Sequence, residues 1–170
     1  TAFGAVIGTV VVLLVVDRYA WFRRRPSEGV RELVAAGESA RVEFKSSARY
    51  NLHSKQRDEK IELVISKTVA AFANSDGGVL LIGVDDDGQA IGLANDLHFM
   101  KQPHLDRYEL WLRDWLGATI GVVATTDVQI GFEKVDGEDV CVVRVPASTR
   151  PVVVTSGKDK RRALFVRAGN

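Results

Sequence analysis

Four consecutive apolar residues, Val79, Leu80, Leu81 and Ile82, follow the glycine pair Gly77-Gly78 and run directly into Gly83. A strand without a polar face has to be covered on both sides, so it belongs inside a sheet flanked by other layers. The glycines stop whatever precedes them, and Asp87-Gly88 forms a tight-turn pair that sends the chain back. An all-helical fold is therefore excluded, and the partners of this strand must be sought on either side of it.

Upstream, residues 41–46 alternate in polarity, with Val42 and Phe44 on one face and Arg41, Glu43 and Lys45 on the other, as in a half-buried strand. Asp58 opens a helix whose apolar positions Ile61, Val64, Ile65, Thr68, Ala71 and Phe72 follow the 3.6-residue period, and Asn74 with the glycine pair ends it. A shorter capped helix is expected over 27–37, between Ser27 and Gly37, and a polar mobile loop over 50–57. Downstream, Pro103 opens a second long helix, 103–117, with the stripe Leu105, Tyr108, Leu112 and Trp115. Val128, Ile130 and Phe132 alternate, Asp136-Gly137 turns the chain, and 139–145 returns. Short strands near 152–154 and 163–166 complete the set. Mixed hairpins, a buried central strand and helices predict an α+β domain with a mixed β-sheet and two main helices.

The first 16 residues carry no charge, and Tyr19, Trp21 and Phe22 extend the apolar character. With Tyr19 and Trp21 as an aromatic belt, residues 1–22 are long enough for one transmembrane helix. Arg23, Arg24 and Arg25 follow, so 23–37 reads as a basic juxtamembrane linker and short helix, and the positive-inside rule places the 38–170 domain in the cytoplasm. The expected location is the cell membrane, with a single pass. A signal peptide, which would carry its positive charge before the apolar run, and a buried core helix are the competing readings. The chain opens on Thr1, so further sequence is expected before it.

Setting Arg18, Arg23, Arg24, Arg25 and Asp17 aside from the 23 basic and 22 acidic residues tips the remaining domain to a net of −2. General polyanion binders carry a markedly basic surface, so any nucleic-acid site here must be local. The lone Cys141, in an apolar run, makes no internal disulfide and reads as a small buried hydrophobe. His53, His98 and His104 lack zinc-like spacing. No G-x-x-x-x-G-K-[ST] loop is present, and Gly77-Gly78 lies at a helix end rather than at an N-terminus that would hold phosphate.

Four strings, in order, carry a resemblance: Glu38-Ser-Ala-Arg-Val-Glu43-Phe-Lys45, Lys67-Thr-Val-Ala-Ala-Phe-Ala-Asn-Ser-Asp-Gly-Gly78, Gly83-Val-Asp-Asp-Asp-Gly88 with Ile91-Gly92, and Phe165-Val-Arg-Ala-Gly-Asn170. Together they resemble the Schlafen AlbA-type DNA-binding domain family over 38–170. The resemblance implies a DNA-binding or ATP-binding module of the bacterial kind. It also implies an alternative, since a similar domain of animal Schlafen proteins is an endoribonuclease that cuts structured RNA. That pattern uses two glutamates five apart and an aspartate near the following hairpin, which here are Glu38, Glu43 and Asp86.

Three such carboxylates would hold Mg²⁺ or Mn²⁺, polarise a phosphate and activate an attacking hydroxyl, with Lys45 or Lys67 steadying the transition state. The bland alternative stays open: Glu43 as a cross-strand charge and Asp85, Asp86 and Asp87 as turn residues. For binding without cleavage, the cations fall into two local patches. One contains Arg41, Lys45, Arg49, Lys55, Arg57 and Lys60; the other contains Lys158, Lys160, Arg161, Arg162 and Arg167. Such patches would contact phosphates together with Lys67, with Tyr50 and His53 available to stack on single-stranded bases. A third possibility is a membrane-tethered protein-interaction module presenting Trp111 and Trp115. A homo-oligomer is compatible with all three.

Overall fold

A computed structural model of the chain describes residues 29–167. Its centre is a four-stranded mixed sheet in the order β1-β4-β6-β5, formed by β1 (Val42–Lys45), β4 (Gly78–Ile82), β5 (Gln129–Val135) and β6 (Glu138–Val145). β1 runs parallel to β4, with Glu43 opposite Leu80, while β6 is antiparallel to both β4 and β5. All five residues of β4 are buried, as the unbroken apolar run requires.

The parallel β1–β4 pair needs a crossover, and α2 (Glu59–Ala73) supplies it, capped by the Asp58 side chain on Lys60 N–H. With α4 (Leu105–Ile120) it covers one face of the sheet, burying Ile65, Val69, Phe72, Leu112 and Leu116 against Leu80, Ile82 and Val143. The opposite face is closed by the short α1 (Val30–Ala36), whose Val30 and Leu33 pack on Phe44, Leu81 and Val142. Helix α1 is shorter than the expected 27–37 and ends where Gly37 adopts φ +78°. Two helical turns, α3 (Ala94–Leu97) and α5 (Val122–Thr126), were not legible in the periodicity.

Three expectations need correcting. Residues 50–57 are not a structureless loop but a small hairpin of β2 (Tyr50–Asn51) and β3 (Gln56–Arg57). Its turn is built by the Asn51 carboxamide, which accepts from His53 and Ser54 N–H and donates to Asp58. The buried face of α2 is rotated from the predicted stripe: Val64 is exposed, and Glu62 is fully buried. The physical cause is a pair of cations, Arg49 and Arg57, that neutralise Glu62 from outside the helix.

The third correction concerns the membrane. Residues 1–22, where a spanning helix is expected, lie outside the described residues. Among the described residues no helix is long and apolar enough to cross a membrane, and α4, at 16 residues, falls short of the roughly 20 a bilayer needs. The expected single-pass placement at a cell membrane, with the domain facing the cytoplasm, is corrected accordingly, and no anchor is carried forward.

The chain ends in a second two-stranded ribbon, β7 (Val153–Ser156) with β8 (Arg161–Leu164). Val152 and Val154 are buried in the α2–α4 core, whereas every residue of β8 is exposed. Strand β8 starts two residues before the expected 163, so two arginines lie on the strand itself.

Candidate nucleic-acid interface

The end of α2 is where the ribbon is held. Asn74 projects its carboxamide between the ribbon's two ends, donating to Val152 C=O and Phe165 C=O, both at 2.8 Å, and accepting from Val152 N–H at 2.7 Å. The Ser75 hydroxyl accepts from Arg167 N–H at 3.0 Å. Gly77, at φ +78°, lets the chain pass beneath the Val145 carbonyl, and at Gly78 a side chain would collide with the Phe72 ring. Asn74 was expected only to end the helix; it does so, and it also clamps the residues flanking the two ribbon strands, 78 and 91 residues away. A carboxamide directly after an apolar helical stripe was the available signal.

Arg167 follows the ribbon and returns to the sheet edge. Its guanidinium donates to Glu43 Oε2 at 2.7 Å and to Ser39 C=O at 2.6 Å, and lies 4.8 Å from the Phe72 ring centroid. Lys45 Nζ holds the other oxygen of Glu43 at 2.6 Å. Partial burial disfavours the charged carboxylate, but the hydrogen bonds from Lys45 and Arg167 outweigh it and hold Glu43 below its ordinary range. Glu38 Oε1 accepts from Phe44 N–H at 2.8 Å, covering the outward amide of edge strand β1.

The carboxylates Glu38, Glu43 and Asp86 are thus not gathered at one point. Glu43 faces the α2 side of the sheet, while the turn bearing exposed Asp86 lies against Val34 at the end of α1. Among the described residues no three His, Cys, Asp or Glu side chains are grouped to hold a metal ion. The geometry does not fit Mg²⁺ or Mn²⁺ at these positions.

The cations divide equally clearly. Arg49 is 6% exposed, donates to Glu62 Oε1 at 3.2 Å and stacks 4.2 Å from the Trp111 ring. It supports the core and presents nothing to a phosphate. Lys45 is held by Glu43 and by the Phe44 carbonyl. Trp111 and Trp115, expected as a docking patch, are likewise engaged within the chain, Trp115 donating to Glu62 C=O.

Lys158, Lys160, Arg161 and Arg162 are exposed on the β7–β8 ribbon. Among the described residues Arg161 reaches only its neighbour Asp159, and Lys158, Lys160 and Arg162 have no ion-pair partner. Opposite the two arginines stand Ser156 and Thr155, neutral hydroxyl donors rather than carboxylates. Lys67, on α2, lies over Phe165 at the ribbon's base, 5.4 Å from the ring centroid. The structure therefore brings Lys67 to the base of the ribbon that carries four exposed cations.

Residues 38–170 match the family model described as Schlafen, AlbA_2. The chain belongs to the Schlafen AlbA_2 family. Its fold also resembles solved structures. One is the N-terminal domain of a RecG-related protein, provisionally an ATP-dependent DNA helicase, from Nitrosomonas europaea. It is 25% identical with a TM-score of 0.53 over 84% of this chain and 90% of that one. Another is the DIP2311 protein from Corynebacterium diphtheriae, 21% identical with a TM-score of 0.51; the match covers 81% of this chain but spans only 27% of that one. The strings quoted for the Schlafen resemblance meet in space. Asn74 and Ser75 hold the C-terminal ribbon, and Arg167 ties its end to Glu43.

Proposed function

We propose that this Schlafen AlbA_2 domain binds nucleic acid through the β7–β8 ribbon. Lys158, Lys160, Arg161 and Arg162 contact phosphates, and Lys67 extends the same surface at the ribbon's base. The observation that carries this reading is a ribbon with four exposed cations, three of them without an ion-pair partner among the described residues, fastened to the core by Asn74 and Ser75. A rigid cationic ribbon neutralises phosphates at little ordering cost, which gives local affinity to a domain with no overall basic charge. The RecG-related neighbour, provisionally an ATP-dependent DNA helicase, carries a domain of similar fold, which is in keeping with this.

The test is fluorescence anisotropy of labelled DNA and RNA with wild type and Lys160→Glu/Arg162→Glu. Binding weakened by the double change, with an unchanged melting temperature, is the expected result. Equal affinity for both proteins would overturn the proposal.

A further inference from the structure

A second surface feature lies away from the ribbon. The Tyr50 ring, at the start of the β2–β3 hairpin, stands 5.9 Å from the Phe99 ring, and Phe99 meets His98 edge-on at 5.6 Å. Tyr50 and Phe99 are half-buried and His98 is exposed. His53, expected alongside Tyr50 to stack on bases, is exposed on the hairpin turn.

Both segments are positioned by one buried residue, Asp96, which is 1% exposed. Its carboxylate accepts from the Ser47 hydroxyl, from Ala48, Arg49 and Tyr50 N–H at 2.8, 3.2 and 3.1 Å, and from the Tyr108 hydroxyl at 2.9 Å. Its backbone carbonyl accepts from Phe99 N–H at 3.3 Å. A buried carboxylate is costly unless fully satisfied. Here its satisfaction locks the backbone under Tyr50 and Phe99 together, so the rings are held in place before any ligand arrives. The exposed Lys55 and Lys101 lie on the same two segments.

We infer that Tyr50, Phe99 and His98 form a stacking platform for unpaired bases, and that the nucleic acid this domain prefers is single-stranded. The inference rests on the nucleic-acid-binding reading above. Every base offers a π-face to an aromatic ring, whereas a duplex keeps its faces stacked inside, so a ring platform with exposed lysines on the same segments selects strands whose bases can splay out.

The test uses the full chain with short oligopyrimidine strands, RNA and DNA, and a blunt duplex of equal length, measured by anisotropy and by quenching of an internal 2-aminopurine. Single strands should bind more tightly than duplex. Tyr50→Ala/Phe99→Ala should lower single-strand affinity by about tenfold or more and abolish the quenching, with duplex binding little changed. His98→Ala and Phe99→Leu, which keep bulk or lie at the surface, should each give a smaller loss if the double variant folds poorly. Lys160→Glu/Arg162→Glu should weaken single strand and duplex alike. Ring variants that bind single strands as wild type does, while the ribbon variant is impaired, would overturn the platform and leave the ribbon standing. Equal wild-type affinity for duplex and single strand would also overturn it. A wild type that binds neither would overturn both readings.

Discussion

Arg167 and Glu43, 124 residues apart, form a 2.7 Å ion pair that closes the end of the chain onto the first strand of the sheet. The contact joins the last of the family strings to the first, and Phe72 from the second lies beneath the guanidinium. Both partners are about one-fifth exposed, so water screens the pair less than it would a surface contact.

Removing Arg167 should therefore be felt globally. Arg167→Ala is expected to cost about 1.5–3 kcal/mol, the range for hydrogen bonds to a charged group, and to raise hydrogen exchange in β7 and β8. Urea melts read by circular dichroism, with exchange mass spectrometry, check it.

The same pair makes stability depend on acid. Glu43 titrates lower in the folded chain than in the unfolded one, so its contribution is complete above the unfolded carboxylate range and is lost as pH falls through the folded value. The melting-temperature gap between wild type and Glu43→Gln should be constant from neutral pH down to about pH 5 and narrow below that. A gap that widens on acidification would contradict the assignment.

Asn74→Ala removes three hydrogen bonds at once and leaves Val152 and Phe165 without partners for their inner backbone groups. A loss of about 2–4 kcal/mol is expected, with weaker nucleic-acid binding because the ribbon is no longer held. Asn74→Asp should be nearly as damaging, since a carboxylate accepts but cannot donate to the two carbonyls. Chemical denaturation and anisotropy on the same preparations check both effects.

Glu62 is fully buried between Arg49 and Arg57. Glu62→Ala strands the buried Arg49 charge and should cost about 3–5 kcal/mol, whereas replacing Glu62 and Arg49 together by apolar residues should recover much of it. By contrast, Asp159→Ala, which removes the exposed partner of Arg161, should leave the melting temperature within error. Thermal denaturation of wild type and the three variants distinguishes these outcomes.

The sheet was legible because its signals are short-range. An unbroken apolar run, one alternating strand and the Asp136-Gly137 turn specify β4, β1 and the β5–β6 hairpin from neighbouring residues alone, whereas the Asp87-Gly88 turn closes a single bridge between Val84 and Ala90 rather than a hairpin of two strands. Asp58 and the 3.6-residue period likewise marked α2. The rotation of α2 was not legible, because Glu62 looks like a solvent position until Arg49 and Arg57 are known to meet it. Polarity also misled at Arg49, whose charge lies in the core under Trp111. The candidate site followed the same division. The exposed cations of the ribbon were readable as a charge run, but Asn74, Asp96 and Phe99 act through partners distant in sequence, and no local pattern marks those pairings. The glutamate spacing shared with the ribonuclease pattern was equally readable, yet spacing along a strand does not fix which face or edge each carboxylate serves.

The central claim is that the ribbon's cations contact phosphates, and the salt dependence of binding tests it most directly. The slope of the logarithm of the association constant against the logarithm of salt concentration measures how many phosphates a protein neutralises, and it is to be compared between wild type and Lys160→Glu/Arg162→Glu. The account predicts weaker binding by the double variant and a slope shallower by about two. Identical slopes and affinities for the two proteins would contradict it.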